Sequence, residues 1–398
     1  MRRVFFLLCA FAVSGVLMFT TFVAAHADAT RDKQWTLQVF KAQQRIWPLS
    51  IGKGVVVAVI DSGVRATHVD LDGQVLVGKN FATGGNGQHD ISTDGHGTGV
   101  ASLIAAHGHG PGGTEGIIGL APGVKILPLA VDSESNSGSQ QVADAIRYAV
   151  DQGAAVINVS LGGPGKSTTE ESAVAYAESR DVILVAASGN DGVQVDNYPA
   201  SFPGVISVGG ADQNGTIWGG SDFGSHLVLV APATGIVSDN MGSDTQYGIG
   251  DGTSYAAAYV SAAAALVRAK FPELTAGQVV NRLIKTAVDP NAKPGQTTPD
   301  LHYGYGVLRP DAALNTTLAA GPAAGPLPQT VDPLAGGGGA ATAAAVGGKG
   351  AGAVAATPGG ASGGLGVGAF AGIAAVAVLA VVGALVAFLR RRRRQAPS

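Results

Sequence analysis

Four short polar clusters interrupt an otherwise apolar chain of 398 residues. Asp61-Ser62-Gly63 closes one apolar run. Asp94-Gly95-His96-Gly97-Thr98-Gly99 crowds a histidine with glycines. Ala187-Ser188-Gly189-Asn190 ends a second run in a carboxamide. Asp251-Gly252-Thr253-Ser254-Tyr255-Ala256 opens a long alanine-rich stretch. Between them they supply a carboxylate, an imidazole, an amide donor and a hydroxyl. Acyl transfer by a serine needs that set. A hydroxyl is a weak nucleophile until a base takes its proton, an acid must fix the tautomer of that base, and the developing oxyanion needs donors. Singly, Asp61 reads as a strand-end turn residue and Ser254 as a helix cap. Their joint appearance with His96 and Asn190 outweighs those plainer readings.

The clusters need elements to position them. Short runs rich in Val and Ile at 55–60, 125–131, 155–160, 182–186, 205–208 and 227–230 read as buried strands. Segments of helical period lie between or after them at 97–106, 140–152, 169–179, 253–270 and 275–287. Strands that are apolar throughout and alternate with helices imply an α/β fold, a central, mostly parallel sheet covered on both faces. Its crossovers should be right-handed. In such sheets ligand sites form beyond the carboxyl ends of the strands, where Asp61 and Asn190 fall. Ser254 falls at the start of a helix, with its N–H at the positive end of the dipole.

On these residues the sequence resembles the subtilisin-like serine proteases, the subtilase family. Val59-Ile60-Asp61-Ser62-Gly63, His96-Gly97-Thr98 and Gly252-Thr253-Ser254-x-Ala256 match the motifs around the acid, base and nucleophile, in the order Asp, His, Ser. Ser160-Leu161-Gly162 and Ser188-Gly189-Asn190 match the substrate cleft and the oxyanion donor. The resemblance spans about 35–318 and implies a three-layer subtilisin-like fold. It implies that Asp61, His96 and Ser254 are catalytic, that Asn190 holds the oxyanion, and that Ser160, Leu161, Gly162, Ala187, Ser188 and Gly189 bind the substrate. Peptide would add to Ser160-Leu161-Gly162 as an extra strand. No cofactor is required. Structural calcium is common in the family, but no acidic loop identifies a site here, and no residue is assigned to a metal. Ala258 stands where the family usually has a proline, so a modest local change in that helix is expected. His68, in Thr67-His68-Val69-Asp70, falls where the family usually has a structural histidine.

Both ends are apolar. Arg2 and Arg3 precede an apolar run, and Ala25-His26-Ala27 offers small residues for cleavage, so 1–27 reads as a secretory signal. An uncleaved anchor is the plainer alternative. Cys9, the single cysteine, would leave with it, and stability would then rest on core size without disulfides. Residues 28–320 read as the catalytic domain, and the 33 residues from Asp28 up to Asp61 leave no room for a large inhibitory propeptide. Residues 321–364, nearly all Gly, Ala, Pro, Thr and Val, read as a flexible tether with a reach of roughly 35–40 Å. Residues 365–389 carry no charge and are long enough to span a bilayer, and the arginines of 390–398 mark the cytoplasmic side. The expected localisation is therefore the cell membrane, single-pass, with the catalytic domain outside.

The seven arginines of the two ends, unaccompanied by any acid, take the formal charge from −3 for the chain to −10 for residues 28–364. Nucleic acid is an unsuitable partner for such a surface. His107 and His109 read as a plain Gly-rich loop without a third metal ligand. Gly165-Lys166-Ser167 lacks the earlier glycine of a phosphate loop, since Ser160 stands there. His-Glu-x-x-His is absent, which removes the zinc-protease reading, and Gly-x-Ser-x-Gly is absent from residues 28–320, which counts against an α/β-hydrolase. Signal, protease, tether, span and basic tail resemble the mycosins, membrane-anchored subtilases of type VII secretion systems. Gln34-Trp35 and the short pre-domain segment fit that likeness. The lack of mature cysteines departs from it, since mycosins commonly carry disulfides. The expected partners are protein or peptide substrates, the membrane, and a type VII secretion complex. A structural component of that assembly, with proteolysis secondary, is the competing role.

Overall fold

The computed structural model describes residues 29–335 apart from 134, 136, 137, 241 and 293–297. The signal, most of the tether, the apolar span and the basic tail lie outside the described residues. Among the described residues no helix is long and apolar enough to cross a membrane.

Seven strands form one sheet: β1 (Val56–Asp61), β2 (Lys79–Asn80), β3 (Lys125–Ala130), β4 (Val156–Val159), β5 (Ile183–Ala187), β6 (Ile206–Ala211) and β7 (Leu227–Pro232), in the order β2-β3-β1-β4-β5-β6-β7. Every pairing in it is parallel. Successive side chains of β1 enter opposite cores, Val57 and Val59 one, Ala58 and Ile60 the other. That alternation explains why the strand is apolar throughout: each face is covered. Helices α1 (His96–Ala105), α4 (Thr253–Lys270) and α5 (Ala276–Thr286) pack into the first core. Helices α2 (Gly138–Asp151) and α3 (Thr168–Ser179) cover the second.

Two of the helices, α3 and α5, start on a side-chain cap. Ser167 accepts the Glu170 N–H, and Thr275 and Gln278 form a reciprocal capping box. α4 lies against the middle of the sheet, and its alanines keep it close: Ala256, Ala258, Ala262, Ala264 and Ala265 are fully buried. The helix is unbroken through Ala258, so the expected disturbance there does not occur.

Three other features differ from the expectations. His107 and His109 lie in a strand paired antiparallel with Glu115–Ile118, not in a plain loop. A second ribbon pairs Ile236–Asp239 with Tyr247–Gly250, just before α4. Residues 321–330, expected as the start of a free tether, are bonded to the domain. Thr275 Oγ1 donates to Ala323 O at 2.6 Å and Gln278 Nε2 to Gly321 O at 2.9 Å. The Thr330 N–H donates to Glu178 Oε2 at 2.9 Å, and its hydroxyl to Pro203 O at 2.6 Å. Composition misled there, because backbone groups rather than side chains make most of those bonds.

Candidate active site

β1 ends on Asp61, which is buried. Its Oδ1 accepts the Ser62 N–H at 2.7 Å and the Ser62 hydroxyl at 3.1 Å. The same oxygen accepts His96 Nδ1–H at 2.8 Å, with Oδ2 3.0 Å away. His96 opens α1, and the start of that helix is held by Asp90, whose Oδ2 accepts the Thr98 N–H at 2.8 Å and the Thr98 hydroxyl at 2.6 Å. Gly97 must lack a side chain, because a Cβ would lie 2.1 Å from Gly63 O and 3.1 Å from Asp61 Oδ1. The Asp61 charge, the largest influence, raises the His96 pKa to about 9 against the opposing effect of burial. Nδ1 is thus committed to the acid, and Nε2 is left for chemistry.

Ser254 is the second residue of α4, so its N–H belongs to the unpaired first turn. A buried polar chain fixes its position. Ser261 Oγ donates to Asn158 Oδ1 at 2.9 Å, Asn158 Nδ2 to Ser160 Oγ at 2.8 Å, and Ser160 Oγ to Ser254 O at 3.1 Å. The Ser254 hydroxyl donates to Ser160 O at 3.2 Å. Tyr255, the next residue, has its ring 6.2 Å from the His96 ring.

Asn190 follows β5. Its Oδ1 accepts from both the Thr253 N–H and the Thr253 hydroxyl at 2.9 Å. Two donors on one atom fix the orientation of the amide, so its NH2 group remains for a ligand. Thr253 therefore sets the donor, a role that sequence reading did not assign to it.

A cleft of about 340 Å³ is shared by Asn190 and Ser254 and lined also by Ser160, Leu161, Gly162, Ala187 and Gly189, while Asp61 and His96 are not part of its lining. Gly163, Asn197 and Asp222 line it as well and were not foreseen from sequence. Asp222 is far from the motifs in sequence, and only the fold brings it in. Its Oδ1 accepts the N–H groups of Asp191 and Val193 at 3.0 Å. Ser188 differs from the expectation. It is fully buried, its hydroxyl donates to Asp222 O at 3.0 Å, and it supports the wall from behind. Ala187 and Gly189 on either side of it line the cleft, and Ser188 does not.

His68 is also fully buried, with Nδ1 3.1 Å from Asp239 Oδ2.

Residues 52–306, more than half of the chain, match the model of the subtilase family, peptidase S8. The chain is a subtilase. It is 36% identical over 267 residues to subtilisin DY of Bacillus licheniformis, covering 66% of this chain and 91% of that protein. It is similar in structure to MycP1 from Mycobacterium smegmatis, with a TM-score of 0.63 and 29% identity over 73% of this chain and 87% of the other. It is likewise similar to MycP3 protease from the type VII (ESX-3) secretion system, with a TM-score of 0.63 and 31% identity over 73% and 91% of the two chains. This subtilase is a serine-type endopeptidase with a subtilisin-like fold, and its structural neighbours include the mycosins as well as subtilisin-type enzymes.

Proposed function

We propose that this subtilase is a membrane-anchored extracellular endopeptidase working through an Asp61–His96–Ser254 triad. The observation that carries the reading is the His96 Nδ1 contact with buried Asp61, beside a cleft that holds both Ser254 and Asn190. His96 Nε2 takes the Ser254 proton as Oγ attacks the peptide carbonyl. The oxyanion accepts from Asn190 Nδ2 and the Ser254 N–H. The imidazolium, held by Asp61, then gives its proton to the leaving amine. Water repeats the sequence on the acyl-enzyme and frees Ser254. The substrate backbone runs beside Ser160-Leu161-Gly162. A fluorophosphonate probe should label the wild type and not Ser254→Ala, and failure to label either protein refutes the reading.

The anchor reading rests on the uncharged run 365–389 and the arginines after it. A mycosin-like place in type VII secretion is supported by that layout and by likeness to MycP1 and MycP3. The same layout suits a second role, bracing a secretion assembly with proteolysis secondary. If Ser254→Ala stops export while the protein stays assembled, bracing is not the main role.

A further inference from the structure

The folded domain has no disulfide to draw on, because Cys9 is the only cysteine of the chain. A different crosslink is built behind α1. His68, Asp70 and Asp239 are all buried, and each offers one ligand atom within 4.8 Å of the others. They come from two distant segments, the turn after β1 and the ribbon before α4. Asp239 is 2% exposed, and no hydrogen-bond donor reaches either of its carboxylate oxygens. Its Oδ2 lies 3.1 Å from His68 Nδ1. His68 Nε2 donates to the Gln246 carbonyl at 3.1 Å, and the Asp70 N–H points at Nδ1 from 3.4 Å, so in the neutral ring Nδ1 turns a lone pair toward a buried carboxylate. Only the imidazolium would donate from Nδ1 to Asp239. Asp70 brings a second carboxylate, steadied by the Ile117 N–H at 2.7 Å and by His109 Nδ1 at 2.6 Å.

Two buried carboxylates and a neutral imidazole nitrogen repel unless a proton or a metal cation stands between them. We propose that His68, Asp70 and Asp239 bind a divalent transition-metal ion of the zinc type. One imidazole and two carboxylates suit that class of ion. The Gln246 carbonyl on Nε2 and the Ile117 N–H on Asp70 are the outer partners that orient such ligands. The ion ties the 67–72 turn to the Ile236–Asp239 ribbon. The Asp239 N–H also donates to Ser102 Oγ on α1 at 3.1 Å, so the clamp reaches the helix that carries His96.

The test uses the full-length chain, with zinc ions as the probe. After equilibration with Zn2+ and dialysis, wild type should retain about one zinc per chain, and a chelator should lower its Tm. Asp239→Asn, which keeps the shape and removes the charge, should lose both the zinc and the chelator effect. His68→Gln should do the same. Cobalt-loaded wild type should show visible ligand-field absorption, a readout that needs no variant to fold. Wild type free of zinc, with a Tm indifferent to chelator, overturns the proposal. So does zinc retained in full by Asp239→Asn, which places the ion elsewhere. A metal-free wild type as stable as the zinc-loaded one overturns it in favour of a proton held between His68 and Asp239.

Discussion

At His96 one carboxylate outweighs burial. Asp61 raises the ring to about 9, so the free enzyme holds His96 charged at neutral pH. Only the neutral ring can accept the Ser254 proton, so kcat/KM should climb with pH and level off above about 9 in a pH–rate profile. The Asp61–His96 attraction works the other way on stability. It is fully present below the ordinary histidine range and is lost as pH rises through about 9. Asp61→Asn should move the inflection of the profile downward and lower kcat steeply; an unmoved inflection assigns it to another group. Asn190→Ala should lower kcat by about 10²–10³, with little change in KM, a magnitude carried over from subtilisin itself. The Asn190 amide was legible in sequence because it follows a strand directly. The two Thr253 bonds that orient it were not, since those residues are 63 positions apart.

Among the elements, the polar chain Ser261–Asn158–Ser160 joins α4 to the strand beneath it. Asn158 is fully buried inside an apolar strand, where a carboxamide survives only if its partners are met. Asn158→Ala should cost about 1–3 kcal/mol in chemical denaturation, because it takes the acceptor from the buried Ser261 hydroxyl and a donor from Ser160 Oγ. Activity should fall too, since Ser160 no longer fixes the Ser254 backbone. The six longer strands and all five large helices could be read from apolar runs and helical period, with most ends shifted by a residue or more and 253–270 matching at both ends. The paired ribbons could not. Glu115–Ile118 and Tyr247–Gly250 are short and glycine-containing, and their partners fix them more than their own residues do. Two-residue β2 leaves no periodic trace at all.

Over the whole molecule, both flanks of the sheet core are stitched down. Arg31 donates to the carbonyls of Gly113, Glu115 and Gly116, and Thr36 meets buried Tyr259 at 2.8 Å. At the other flank Thr330 satisfies Glu178, a carboxylate whose pKa burial raises. A fragment ending at 320 should therefore melt lower than one ending at 335, by on the order of 1 kcal/mol of lost bonding to Glu178 and α5. Equal melting temperatures in calorimetry show that the strap adds nothing. Composition hid this contact, because a Gly/Ala/Pro stretch looks the same whether docked or free. The parallel order of the sheet also sets a timetable. Asp61 and Ser254 are 193 positions apart, and β1 pairs with strands made long after it. A chain still emerging from the ribosome or a translocon holds the acid and base without the nucleophile. All three groups of the proposed triad come together only once nearly all of the core has closed.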